Sequence, residues 1–123
     1  MSDFGIVQGK RILLVDDEQS IRDAYAMFLN IDEHEVVPAA DAAQALSLFE
    51  PGKFDLVITD FEMPGMKGNE LAIKLKQLSP AQRILMITAY PERCDSVTNP
   101  VEHVLNKPFT FEDLRGALAK VLA

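Results

Sequence analysis

Several short stretches of the chain run into residues with chemistry to offer. "RILLV" leads into Asp16 and Asp17, "FDLVIT" into Asp60, "RILMIT" closes on Thr88, and "HVL" is followed two residues later by Lys107. Three carboxylates gathered at one place raise one another's pKa values and strain the fold unless a cation offsets them. A hard divalent ion with oxygen ligands does so. Mg²⁺, which takes one or two carboxylates together with water and a phosphate oxygen, suits this donor set best. Each residue also has an ordinary use. Asp16 and Asp17 precede a helical stretch, where aspartate is a favoured N-cap. Asp60 stands before the turn residues of "MPG", and lysines such as Lys107 are mostly solvated. What favours chemistry is their joint occurrence, each closing a different strand.

Such a site needs parallel strands whose carboxyl ends share one edge, because ligands of open parallel sheets bind there. Apolar, β-rich runs predict strands over Arg11–Val15, Glu35–Ala39, Phe54–Thr59, Arg83–Thr88 and His103–Leu105. Between them, helical spacing of apolar residues predicts helices over Glu18–Leu29, Asp41–Phe49 and Asn69–Leu78, with a last one over Phe111–Leu122. Thr110, with Asp113 three residues on, resembles a capping box ahead of that last helix. The alternation of strand and helix predicts an α/β domain, its parallel sheet covered on both faces. Between the fourth and fifth strands, Pro91 and Pro100 confine any helix to Glu92–Asn99, so this crossover is read as short or irregular.

Composition narrows the function. A chain of 123 residues fits one domain, read as residues 10–123 behind a flexible leader over residues 1–9. No apolar run has the length of a membrane span, and the first residues lack the pattern of a signal peptide. Cys94 is the single cysteine, which fits a reducing, cytoplasmic setting. A formal net charge of −7 opposes phosphate backbones, so direct nucleic-acid binding by this segment is not expected.

"LLVDDE", "DLVITDFEMPGMKGNEL", "ILMITAY" and "NKPF" together resemble the receiver domain of two-component response regulators, and the likeness runs from Lys10 to Leu122. The resemblance implies a doubly wound, flavodoxin-like sheet of strand order 2-1-3-4-5. It implies that Asp60 accepts a phosphoryl group from a sensor histidine kinase or a phosphotransfer protein. Asp17 and Asp60 would contact Mg²⁺ through side chains, Glu62 through its backbone carbonyl, and Asp16 largely through a bound water. Thr88 would bind a phosphoryl oxygen, Lys107 would pair with the phosphate, and the bond from Lys107 to Pro108 would be cis. The resemblance thus makes the domain a phosphorylation switch rather than a turnover enzyme, acting alone, as a homodimer, or ahead of an output domain in a longer chain.

Two features depart from the family pattern. Val104 stands three residues before the lysine, where relatives usually carry Tyr or Phe, and Lys107 follows Thr88 by 19 residues, a shorter spacing than is common. The surface around this crossover is therefore expected to signal or dimerise differently. Glu62 and Tyr90, each two residues beyond a site residue, are candidates for tuning the lifetime of the phosphorylated state. Two other functions compete with this reading: an interaction module of the same fold that does not use phosphorylation, and a phosphatase of the haloacid dehalogenase type. The latter places its nucleophile in a D-x-D after the first strand and its acid pair late, the reverse of the order here.

Overall fold

The chain alternates strand and helix because its apolar residues switch between continuous runs and a helical stripe. A computed structural model describes residues 6–93 and 100–122. The strands are β1 (Arg11–Val15), β2 (Glu35–Ala39), β3 (Leu56–Asp60), β4 (Ile84–Thr88) and β5 (His103–Asn106). The helices are α1 (Gln19–Ile31), α2 (Ala42–Leu48), α3 (Gly68–Leu78) and α4 (Phe111–Leu122), with a 3-10 turn at Pro91–Arg93. All strand pairs are parallel and the order is β2-β1-β3-β4-β5.

Residue alternation along the strands builds two cores. Leu13, Val15 and Val57 face one side of the sheet with Ala42, Ala45, Leu71 and Leu75 of α2 and α3. Ile12, Leu14, Leu56 and Ile58 face the other with Leu29 of α1 and Leu114, Leu118 and Val121 of α4. Burial on both faces is why the strands read as unbroken apolar runs; truncating a fully buried leucine such as Leu13 would cost about 2–5 kcal/mol. Pro38, which lacks an N–H, is tolerated because β2 is an edge strand.

The expected elements are present with shifted ends. β3 begins at Leu56 and takes in Asp60, whereas the sequence suggested Phe54–Thr59. Phe54 stacks against Phe49 instead, with ring centroids 6.4 Å apart. β5 extends to Asn106. The box before α4 forms in full: the Thr110 N–H donates to Asp113 Oδ2 at 2.9 Å and the Asp113 N–H to Thr110 Oγ1 at 3.0 Å. Of the Glu92–Asn99 crossover, the start lies in the 3-10 turn and residues 94–99 lie outside the described residues, as do residues 1–5 of the expected leader.

Candidate functional site

β1 connects outward to β2, and β3 lies on β1's other side, so the direction of winding reverses between β1 and β3. At such a switch point the loops part and leave a crevice beyond the carboxyl ends of the strands. The register pairs Val15 with Thr59, which brings the following residues, Asp16 and Asp60, level on adjacent strands. Thr88 pairs with Asn106, and the Lys107 N–H donates to the Thr88 carbonyl at 2.8 Å, so the hydroxyl and the ammonium-bearing residue are neighbours too. The Lys107–Pro108 bond is cis.

Asp16, Asp17 and Asp60 each offer one carboxylate oxygen within 4.8 Å of the others. Asp16 and Asp60 are buried, at 2% and 5% exposure, while Asp17 is exposed. Burial pushes the Asp60 carboxyl above its ordinary value; Lys107 and the Glu62 N–H pull it down, and Asp16 adds to the rise. Asp16 is raised chiefly by burial as well, against the Glu18 N–H and Lys107, with Asp17 and Glu18 reinforcing it. An excess of buried negative charge served only by oxygen atoms is what a hard divalent cation fits. Neither acid of the pair caps α1 through its side chain. The N-cap is Glu18, without a side-chain cap, and Asp16 Oδ1 instead accepts the Glu18 N–H at 2.9 Å.

The cationic partner is in place. Lys107 Nζ lies 3.1 Å from Asp60 Oδ1, and the Glu62 N–H donates to the same oxygen at 3.3 Å. Thr88 is fully buried, its Oγ1 accepting the Tyr90 N–H at 3.0 Å, and the Tyr90 side chain is 45% exposed. Glu62 Oε1 is buried with no hydrogen-bond partner among the described residues. Beside Lys107 opens a cleft of about 380 Å³ lined by Tyr25, Ala89, Lys107, Pro108 and Phe109.

Two contributors escaped the sequence reading. Tyr25 of α1, placed there only on the apolar face, packs its ring 5.0 Å from that of Phe109. Its phenol is pushed up to about 12 by burial first and then by the charges of Asp16 and Asp60. Gly68, the first residue of α3, has no room for a side chain: a Cβ would meet the Asp60 carbonyl, Met86 Sδ and the Phe61 Cα. The "PGMKG" stretch carried that signal, but its glycines read equally well as turn residues.

A doubly wound sheet with three acids, a buried threonine and a lysine at its switch point defines a receiver-like class of domain. The sequence profile of the response regulator receiver domain matches residues 12–119. The chain belongs to that family. Sporulation initiation phosphotransferase F of Bacillus subtilis is 31% identical over 94% of this chain and 96% of its own. The phosphate regulon transcriptional regulatory protein PhoB of Pseudomonas aeruginosa is 34% identical over 93% of this chain but 52% of its own length. The chain thus spans about half the length of several curated relatives it matches. Among solved structures, response regulator TrrA of Thermotoga maritima in complex with Mg²⁺ and BeF is 34% identical with a TM-score of 0.83, over 90% of this chain and 97% of that one. The family match also decides against the phosphatase alternative.

Proposed function

We propose that this domain takes up a phosphoryl group on Asp60, and that the uptake switches a surface read by a partner. The observation that carries the reading is the convergence of Asp16, Asp17 and Asp60 with the Lys107 ammonium on one of the acids. Phosphoryl transfer asks a protein for positioning and charge neutralisation more than for covalent work. An oxygen of the Asp60 carboxylate attacks phosphorus. The bond from phosphorus to a donor imidazole nitrogen, or to an acyl oxygen, breaks as the new bond forms, leaving an acyl phosphate that water later removes.

Asp16, Asp17 and Asp60, with the Glu62 carbonyl, would hold Mg²⁺, which when bound offsets negative charge on the phosphoryl oxygens. Lys107, already aimed at Asp60, exchanges a carboxylate oxygen for a phosphoryl oxygen. Thr88 would leave the Tyr90 N–H and donate its hydroxyl proton to the newly placed anion; this change of partner is the local event a switch requires. The donor would be a histidine kinase or phosphotransfer protein, as supported by similarity to a chain in the complex of histidine kinase ThkA with response regulator TrrA, at 36% identity and a TM-score of 0.83. A cytoplasmic setting and a receiver body over residues 10–123 behind a short leader complete the reading.

Intact mass after incubation with Mg²⁺ and acetyl phosphate tests it. The native protein gains one phosphoryl group and Asp60→Asn gains none; equal labelling of both would refute Asp60 as the acceptor.

A further inference from the structure

We propose that Arg22 is a positioning residue for the carboxylates of this site; the inference rests on the reading above. Arg22 sits in the first turns of α1, and its Nη1 donates to the main-chain carbonyl of Asp16 at 2.6 Å, six residues back. Asp16 is thereby held at three points. Its N–H donates to the Ala39 carbonyl at 3.1 Å, its carboxylate accepts the Glu18 N–H at 2.9 Å, and its carbonyl accepts from Arg22. The Arg22 N–H in turn donates to the Glu18 carbonyl at 3.0 Å, which closes a ring through Asp16, Glu18 and Arg22. Asp17 is the residue between Asp16 and Glu18, so its main chain is bounded on both sides by these bonds.

The choice of acceptor matters. A guanidinium beside acids ordinarily forks onto a carboxylate. Among the described residues Arg22 forms no ion pair, although its Nη1 reaches the main chain of Asp16 itself. Bound to a carbonyl, it stiffens the junction of β1 and α1 without occupying the oxygen atoms that converge. An arginine on Asp16 or Asp17 itself would compete for those atoms.

The geometry has a consequence opposite in sign to that of the charge. A fixed positive charge near a cation site weakens cation binding, so if charge alone mattered, removing Arg22 would tighten Mg²⁺ binding, and added salt would shrink the effect. If Arg22 positions the acids, its removal loosens them and weakens binding, on the order of tenfold as for other groups that orient metal ligands. The experiment is a calorimetric Mg²⁺ titration of the native protein, Arg22→Ala and Arg22→Lys at low and raised salt. It is read with the Glu18 amide resonance of the metal-free proteins. Arg22→Ala is expected to raise the Kd about tenfold at both salt levels and to shift the Glu18 amide. Arg22→Lys, which keeps a donor, should recover most of both. Should Arg22→Ala not fold, Arg22→Gln carries the same comparison. Unchanged or tighter Mg²⁺ binding by the variant, with normal binding by the native protein, overturns the inference. Absence of Mg²⁺ binding by the native protein overturns the reading of the site, and the inference with it.

Discussion

Lys107 Nζ and Asp60 Oδ1, 47 residues apart in sequence, lie 3.1 Å apart at the end of the sheet, with the Asp60 side chain almost wholly buried. The ammonium therefore serves a carboxylate that burial would otherwise push towards its neutral form. Lys107→Ala is expected to slow phosphoryl uptake from acetyl phosphate by roughly 100-fold, the usual scale for losing a donor aimed at developing charge. Mg²⁺ affinity should be kept or improved, since one competing cation is gone. A mass time course and a metal titration read the two effects separately; an unchanged uptake rate would remove Lys107 from the mechanism.

If the acid cluster holds Mg²⁺ as proposed, stability should depend on the ion. With the carboxyls of Asp16 and Asp60 raised by burial, the metal-free fold bears the cost of concentrated charge at neutral pH. Mg²⁺ at about 100 times its Kd should add roughly 2.7 kcal/mol of stability by mass action. The thermal unfolding midpoint should rise with Mg²⁺, return on adding a chelator, and respond little to NaCl of equal ionic strength. Asp17→Asn, which removes the exposed carboxylate of the proposed set, should blunt the rise. A midpoint insensitive to Mg²⁺ contradicts the assignment.

Much of this site could be read from the sequence because each residue closes an apolar run, and strand ends on one sheet edge are forced together by parallel topology. Asp16, Asp60, Thr88 and Lys107 were legible in that way. The limits of β3 were not. Phe54 is strand-forming by type, yet its ring stacks on Phe49, and Asp55, a poor strand former, spends its Oδ2 on the Arg11 N–H at 2.9 Å, so the strand proper starts only at Leu56. Arg22 and Tyr25 were also hidden. Helical periodicity says which face a residue shares, not how far a long side chain reaches along the axis.

Gly68 ties α3 to the site through close approach rather than through a special backbone angle. A methyl group there would collide with the Asp60 carbonyl and sit 2.8 Å from Met86 Sδ and 2.9 Å from the Phe61 Cα. The backbone contacts cannot yield as a flexible side chain would. Gly68→Ala should therefore cost about 1–3 kcal/mol in urea unfolding, although alanine is the better helix former. The same variant should shift the amide resonances of Phe61 and Glu62, whose segment must move. A more stable variant with an unshifted site would show that α3 can back away freely.

At the opposite end of the sheet, His34 gives the fold a pH dependence of its own. It is 4% exposed, and its Nδ1 accepts the Lys10 N–H at 3.0 Å, an arrangement that requires the neutral ring with its proton on Nε2. Nε2 has no partner among the described residues. Burial lowers the pKa below the ordinary 6.5; Asp32 opposes this and Lys10 assists it. The unfolded chain thus binds a proton at a higher pH than the folded one, so stability is held above about pH 6.5 and lost as pH falls towards the folded value. His103 acts in the same direction, while Asp16 and Asp60, raised above 3.8, act oppositely at lower pH. His34→Gln keeps an acceptor for Lys10 but does not titrate. Urea midpoints measured from about pH 7.5 down to 5 should fall more steeply for the native protein than for His34→Gln. Since the other groups are common to both, parallel slopes would mean that His34 is protonated in the fold at no cost.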